Sequence, residues 1–253
     1  MHFIGIRIAV FCILSEFINF YYLCINNISK TYDWRKTHSA SPCRTKVRGS
    51  IRYRKYNVDA LRKIANHLIN NSCQEINYDD ISGILGINDK TCKKYADFLR
   101  QAFLIQILTK HSFKSKNRIR NSKAYIIDPG FQNNRENSMA GENIGWRLEN
   151  VIYIELLRRC AYDFRDVYYY KANPRAKEVD FVVCDKDRAL ELIQVAYEID
   201  TQKSFNRETS ALVQATGPLH CDKLTLIAFS PTRDIEIDGK TIHIISAVEW
   251  LLS

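Results

Sequence analysis

The chain has 253 residues, enough for one large domain or two small domains with a well-developed core. Hydrophobic residues make up 46% of the sequence and charged residues 26%, a balance that excludes an intrinsically disordered protein. The formal net charge of +9 and the sequence pI near 9.1 favour a polyanionic partner, either nucleic acid or an anionic membrane surface.

The first 50 residues form an apolar and then basic leader. Residues 3–25 are strongly apolar, but Arg7, Glu16 and Asn19 interrupt them. A membrane-spanning helix needs about 20 nearly uncharged residues, and a central charged residue costs roughly 2–3 kcal/mol of insertion free energy. We therefore expect a cytoplasmic protein whose leader packs on a partner or is a remnant; the alternative is membrane association through residues 3–25. The eight cysteines show neither a CxxC pair nor metal-ligand spacing, which is typical of a reducing compartment.

Residues 51–130 are predicted to form a winged-helix domain. Asn57 and Asn88 are suited to cap the N-termini of two helices, and Gly86 ends a short helix between them. Two apolar strands follow, joined by the basic loop 110–123. Three helices and a basic hairpin, with a tight turn between the second and third helices, are typical of a winged helix.

The third helix of this domain and the loop between its strands carry the candidate nucleic-acid-binding residues. These are Lys90, Thr91, Lys93, Lys94, Lys114, Lys116, Arg118 and Arg120. Contacts from such residues to phosphates would give salt-dependent binding to double-stranded DNA. The alternative is a protein-interaction or packing module whose Lys and Arg side chains form a solvated face.

Residues 140–253 are predicted to form a mixed α/β domain with helices on a sheet. The pattern indicates, in order, a helix at 142–160, a strand at 167–171, a hairpin at 178–199, a helix at 204–215 ended by Gly217-Pro218, and strands at 224–229 and 241–245. Asp238-Gly239 is predicted to be a hairpin turn.

The hairpin at 178–199 organises this domain. Two apolar, β-branched runs flank a polar turn at 185–188. The first strand carries Glu178 and Asp180, whose side chains share a face because alternate residues of a strand point the same way. Burying carboxylates in such a strand is costly unless a metal, a cation or hydrogen bonds compensate them. This face therefore performs chemistry or once did.

Five segments, in order along residues 52–253, resemble a known family. They are RYRKYNVDALRKIANHLI, YIIDPGF, GWRLENVIYIELLRR, EVDFVV and ELIQVAYEI. Together they resemble the C-terminal half of prokaryotic AAA-type P-loop ATPases, the part that ends in the DUF4143 region. The resemblance implies a winged-helix module followed by a PD-(D/E)XK nuclease-like mixed sheet with flanking helices.

The resemblance also implies a metal site. In the nuclease-like fold a helical Glu, a strand Asp and a following (D/E)xK surround a metal, which would make Glu149 and Asp180 ligands of Mg²⁺. Gln194 and Ala196 align with the acid and the lysine of the next strand, and Lys171 on a neighbouring strand is the alternative source of an ammonium. The candidate catalytic residues are therefore Glu149, Asp180 and Gln194, in a degenerate site; alternatively the site is kept only as part of the fold.

The sequence has no Walker A loop. The only Gly-Lys-Thr lies at 239–241, and Asp234 stands where the loop needs its first glycine. We therefore expect no ATP site in this chain, and a separate ATPase chain as a partner. The leading hypothesis is a DNA- or partner-binding fragment related to these ATPases, without catalysis of its own; the alternative is a Mg²⁺-dependent DNA nuclease.

Overall fold

The computed structural model describes residues 57–112, 122–132 and 144–253. The predicted leader of residues 1–50 lies outside these ranges, and so do four candidate DNA-binding residues, Lys114, Lys116, Arg118 and Arg120. The described part contains six α-helices and a mixed six-stranded sheet, which confirms the predicted mixed α/β class. Among its helices, none combines the length and the apolar character needed to cross a membrane.

Three helices and a pair of antiparallel strands form the first part, which we call the three-helix module. Its elements are α1 (Val58–Asn70), α2 (Tyr78–Leu85), α3 (Asp89–Gln101), β1 (Ile105–Thr109) and β2 (Ser122–Ile126). The helices bury one face each, and Ile64, Ile81 and Leu99 meet in a common core with Ile105 of β1. Periodic apolar residues thus set both the helices and their packing.

The ends of these helices are set by residues that the sequence already indicated. The side chain of Asn57 accepts a hydrogen bond from the backbone N–H of Ala60 at 3.1 Å, and that of Asn88 accepts one from Lys90 at 2.9 Å. Such caps satisfy backbone donors that have no partner inside the helix, and each is worth about 1 kcal/mol. Gly86 ends α2 with a positive φ of 62°, a conformation that glycine adopts without strain.

The second part, which we call the sheet domain, begins at α4. Its elements are α4 (Ile144–Tyr162), β3 (Asp166–Lys171), β4 (Glu178–Asp185), β5 (Arg188–Ala196), α5 (Gln202–Leu219), β6 (Leu224–Ala228), β7 (Arg233–Ile237), β8 (Lys240–Ser246) and α6 (Ala247–Leu252). The strand order in the sheet is β3-β4-β5-β6-β8-β7. The contacts β5–β6 and β6–β8 are parallel, and the others are antiparallel.

The sheet has a helix on each face. On one face, Leu212 of α5 packs with Leu192 of β5 and Leu226 of β6. On the other face, Ile152 of α4 packs with Ile193 of β5 and with residues of β4 and β6. Because β5 contributes to both cores, it is the central strand around which the sheet domain is built, and each such buried side chain stabilises the fold by about 1.5–3 kcal/mol.

Two details near the end of the chain test the sequence interpretation. The hairpin turn at Asp238 and Gly239 is confirmed, with positive φ values of 50° and 70° between β7 and β8. The predicted end of α5 at Gly217-Pro218 is wrong, because the helix continues to Leu219 and is capped by His220 in the left-handed conformation. Pro218 lies in the last turn, where it removes only one hydrogen bond of the helix. The burial of the neighbouring Thr216 and Leu219 stabilises this turn.

A network of hydrogen bonds fixes the three-helix module to the sheet domain. Asn150 of α4 is fully buried; its amide donates to the backbone C=O of Ile126 at 2.7 Å, and its side-chain oxygen accepts from the N–H of Ile126 and the hydroxyl of Ser72. Tyr169 of β3 donates its hydroxyl to Glu75 at 2.9 Å. These bonds hold strand β2 against α4, and this places side chains of β2 next to the hairpin at 178–199.

Candidate functional site

A cavity of about 670 Å³ opens where the start of β4 and the end of β5 meet the first turns of α4 and α5. We call it the carboxylate pocket. All three candidate catalytic residues, Glu149, Asp180 and Gln194, line it. Glu178 lines it as well, as its alternation with Asp180 along the strand predicted. The antiparallel pairing of β4 with β5 brings the start of β4, with Glu178 and Asp180, beside the end of β5, with Gln194.

Asp180 is 7% exposed and has two links to β5. Its Oδ2 accepts a hydrogen bond from the backbone N–H of Val195 at 2.9 Å, and its own N–H donates to Oε1 of Gln194 at 3.3 Å. Burial, together with the neighbouring carboxylate of Glu149, raises the pKa of Asp180 well above its ordinary range. The carboxyl of Asp180 therefore holds its proton to a higher pH than an exposed aspartate does.

Gln194 is tied into the fold by two hydrogen bonds of its side-chain amide. Its carbonyl oxygen accepts the N–H of Asp180, and its amide donates to Oε2 of Glu208 on α5 at 2.8 Å. Glu208 is buried and accepts a second hydrogen bond from Arg207 at 2.7 Å. Gln194 thus links the backbone of β4 at Asp180 to the carboxylate of Glu208 on α5, and Ala196 two residues later brings only a methyl group into the pocket.

Glu149 lies on α4, facing the module strand β2. Its Oε1 accepts a hydrogen bond of 2.6 Å from the hydroxyl of Tyr125 and lies 3.6 Å from Nζ of Lys123. Burial raises the pKa of Glu149, and the ammonium of Lys123 opposes that shift. Both partners of Glu149 therefore come from the three-helix module, not from the sheet domain that carries the pocket.

Lys123 is the residue that sequence reasoning missed. It was assigned to the basic loop, but it lies in β2, is 3% exposed, forms an ion pair with Glu178 and sits 5.3 Å from the ring centre of Tyr169. Burial alone would lower the pKa of Lys123, but the carboxylates of Glu149 and Glu178 raise it. The signal was present: Lys123 and Tyr125 alternate along a strand and so share a face.

The described side chains do not fit a Mg²⁺ ion. Mg²⁺ requires near-octahedral oxygen ligands at about 2.0–2.1 Å. Among residues 57–112, 122–132 and 144–253, no three His, Cys, Asp or Glu side chains come together to hold a metal. The ammonium of Lys123 forms an ion pair with Glu178 and lies 3.6 Å from Oε1 of Glu149, so it already compensates the charge of two carboxylates that a metal would need. The metal roles of Glu149 and Asp180 therefore stay predictions from the resemblance.

Two further charged residues of neighbouring strand positions, Lys171 and Glu191, do not line this pocket among the described residues. Lys171 ends β3 opposite Glu178 in the strand register, and it is not among the described residues that line the pocket. Glu191 lies three residues before Gln194 and binds Lys223 and Thr225 at 2.8 and 2.6 Å instead. Lys123, and not Lys171, is the lysine that the fold places at these carboxylates.

The candidate DNA-binding residues within the described ranges begin helix α3. Lys90, Lys93 and Lys94 are exposed, and Thr91 is half-buried. Lys93 contacts Asp89 at 3.2 Å and lies 5.6 Å from the ring centre of Tyr78. The structure thus presents three of the predicted cations to solvent on the first two turns of one helix.

Comparison with known proteins gives two family matches and two relatives. Residues 50–139 match the model of a domain of unknown function, DUF8612. The chain is 30% identical over 208 residues to an uncharacterized protein of Methanocaldococcus jannaschii, and 32% identical over 198 residues to an uncharacterized protein of Haemophilus influenzae. These alignments cover 78% and 76% of this chain.

The same alignments cover 45% and 46% of the two relatives, so the chain spans about half the length of the curated relatives it matches. No solved structure matches it. The described residues that line the carboxylate pocket all lie between positions 145 and 211. The part of the chain that holds the pocket therefore lies within residues 145–249, which match the family described as a domain of unknown function, DUF4143.

Proposed function

We propose that this protein binds double-stranded DNA through its three-helix module and does not cleave the DNA. In this proposal the module is a winged helix, α3 is the helix that approaches the duplex, and the basic segment predicted between β1 and β2 is the wing. The sheet domain is a nuclease-like fold without nuclease chemistry.

The observation that carries the binding half is the exposure of Lys90, Lys93 and Lys94 at the start of α3. The positive end of the helix dipole lies at the same place, and both favour phosphate groups. The ion pair between Lys93 and Asp89 is exposed and contributes little, so a phosphate can replace the carboxylate at small cost. Phosphate contacts of this kind bind duplexes without reading their sequence.

The observation that carries the non-catalytic half is the ammonium of Lys123 between Glu149 and Glu178. A phosphodiester and its metal would need these carboxylates free. Gln194 and Ala196 replace the acid and the lysine that the nuclease-like fold uses to bind metal and activate water. Gln194 offers a neutral amide in place of the acid, and this amide forms hydrogen bonds within the fold at both ends.

The two relatives are about twice as long as the region that aligns with this chain. We propose that the described part acts within a larger assembly that hydrolyses ATP, as the resemblance to AAA-type ATPases implies. In that assembly a P-loop ATPase, on the same or on another chain, would supply the energy, and the part described above would contact DNA. The hydrogen bonds of Asn150 and Tyr169 between module and sheet domain would transmit force between the two parts.

The binding half is tested by fluorescence anisotropy with a labelled 20-base-pair duplex across a range of salt concentrations. Three phosphate contacts predict a slope of log K against log salt near ~−2.7, from about −0.9 per contact, and contacts from the wing would steepen it. A variant with Lys90, Lys93 and Lys94 changed to alanine should bind more weakly and with a slope shallower by about that amount.

A control variant removes the same charge from the sheet domain. Lys186, Arg188 and Lys203 are exposed there, and their alanine variants should leave both affinity and slope nearly unchanged. Equal weakening by the two triple variants would mean that the chain attracts DNA only by its net charge. No binding at low salt would refute the proposal and leave a protein partner for the module.

A further inference from the structure

The carboxylate pocket is acidic although the chain as a whole is basic. Five carboxylates line it, those of Glu149, Glu178, Asp180, Glu198 and Glu208. The cations near these five carboxylates are Lys177 and Arg207, which line the pocket, and Lys123, which lies behind it. The formal charge of these eight side chains is therefore −2. Arg207 is already bound to Glu208, and Lys177 to the hydroxyl of Ser210. A phosphate group would be repelled from this pocket.

Two buried carboxylates have oxygens available to a ligand. Glu149 is 9% exposed and Asp180 is 7% exposed, and each uses one oxygen for the bonds already described. In the part of the chain that the structure describes, no hydrogen-bond donor reaches Oε2 of Glu149 or Oδ1 of Asp180, and neither oxygen is sealed from the cavity. Carboxylate oxygens accept hydrogen bonds strongly, so this end of the pocket favours a ligand that donates them.

The ionisation of Glu149 and Asp180 depends on the charges that surround them. Burial raises the pKa of Glu149, and burial together with Glu149 raises that of Asp180. The groups that face them are Lys123 and Tyr125 from β2, Glu178 from β4, and Gln194 from β5 with Glu208 behind it. A further cation in the pocket would therefore favour the ionised forms of Glu149 and Asp180.

The walls of the pocket define the rest of the ligand. Val195, Ala196 and Ala211 provide small apolar surfaces next to the carboxylates. Trp146 and Tyr197 provide aromatic rings, which attract cations as well as apolar stems. A cavity of about 670 Å³ lies within the size range of small-molecule sites.

We propose that the carboxylate pocket binds a primary alkylammonium group, whose head donates to the open oxygens of Glu149 and Asp180 and whose stem lies along Val195, Ala196 and Ala211. The head group has a precedent within the fold, because the Lys123 ammonium already binds Glu149 and Glu178 next to an aromatic ring. An ammonium tolerates widely spaced oxygens that do not meet the strict geometry of Mg²⁺. The source is either a free polyamine or a lysine side chain of a polypeptide.

Isothermal titration of the purified chain, without DNA, tests this inference. The two ammonium probes are cadaverine, a free diamine, and Nα-acetyl-lysine-N-methylamide, a lysine side chain in a polypeptide-like setting. 1-Pentanol carries a similar stem without charge, and MgCl₂ carries charge without a stem. We expect both ammonium probes to bind and the other two not to bind, and the tighter of the two ammonium probes identifies the source.

Variants locate the site. Asp180→Asn keeps the shape of the side chain and should weaken ammonium binding by about 10- to 100-fold, the effect of losing one hydrogen bond to a charged group. Glu149→Gln should act in the same direction. Glu191→Gln is the matched control, because Glu191 lies nearby on β5 but binds Lys223 and Thr225 outside the pocket.

The pH dependence gives an independent readout. Alkylammonium groups stay charged below about pH 10, whereas Glu149 and Asp180 must release a proton to bind them well. Affinity should therefore keep rising with pH above about pH 5, where exposed carboxyl groups are already ionised. Absence of binding by both ammonium probes, equal binding of pentanol, an unchanged affinity in Asp180→Asn, or tighter binding of Mg²⁺ would each overturn the inference. None of these outcomes depends on whether the module binds DNA.

Discussion

Replacing Lys123 by methionine tests the electrostatics of the carboxylate pocket most severely. Methionine keeps an unbranched apolar stem and removes the ammonium that contacts Glu178 and lies 3.6 Å from Oε1 of Glu149. The Lys123 side chain is 4% exposed, so water cannot take over its role. The variant therefore leaves two carboxylates facing each other without a cation.

The size of the effect follows from that geometry. At an effective dielectric constant of about 20, the attraction across the 3.6 Å to Glu149 is roughly 4–5 kcal/mol. Removing one partner of a buried ion pair costs about 3–5 kcal/mol. The pKa of Glu149 is already raised by burial, so in the variant this carboxyl takes up a proton and limits the loss. We expect a decrease of about 3 kcal/mol in the free energy of unfolding at pH 7, and a smaller decrease at pH 5.

Urea unfolding of the wild type and of Lys123→Met at the two pH values measures this difference. Lys203→Met changes an exposed lysine on α5 and should stay within about 0.5 kcal/mol of the wild type. A triple variant that also carries Glu149→Gln and Glu178→Gln should recover most of the lost stability, because its pocket has no unpaired charge. A Lys123→Met protein as stable as the Lys203→Met control, or a triple variant no better than the single one, would refute the charge argument.

Three further outcomes follow from the same contacts. The folded protein holds the proton of Asp180 to a higher pH than the unfolded chain does. This carboxyl therefore lowers the free energy of unfolding as the pH rises above about 4. In urea unfolding, the stability of the wild type relative to Asp180→Asn should fall from pH 4 to pH 8. MgCl₂ or MnCl₂ at millimolar concentration should leave the Tm of the wild type unchanged in calorimetry, since a bound ion at 100 times its Kd would add about 2.7 kcal/mol. Asn150→Ala should lower the free energy of unfolding by about 2–4 kcal/mol, because it leaves the buried N–H and C=O of Ile126 without partners. A loss below 1 kcal/mol would show that packing alone holds the three-helix module to the sheet domain.

Features set by neighbours in the sequence could be predicted. The caps at Asn57 and Asn88 and the left-handed end at Gly86 depend on a few adjacent residues, and so does the turn at Asp238 and Gly239. Strand alternation placed Glu178 and Asp180 on one face. Resemblance then added Glu149 and Gln194, which line the same pocket.

The partners of these residues could not be predicted in the same way. Lys123 and Tyr125 reach Glu149 only because Asn150 fixes strand β2 against α4. Glu208 lies 14 residues from Gln194 along the chain and meets it across a layer of the fold. Such contacts depend on how elements pack, which a sequence pattern does not show. They changed the interpretation of the site, since they compensate the carboxylates without a metal.

The central claim is that this protein holds DNA without cutting it. The most direct measurement incubates a labelled duplex with excess wild-type protein at low salt, with Mg²⁺ or Mn²⁺, beside the Asp180→Ala variant. Native gels of one portion report binding, and denaturing gels of another report cleavage. The account predicts a shifted, intact duplex with both proteins. Cleavage by the wild type that disappears in Asp180→Ala would contradict it and establish a metal-dependent nuclease.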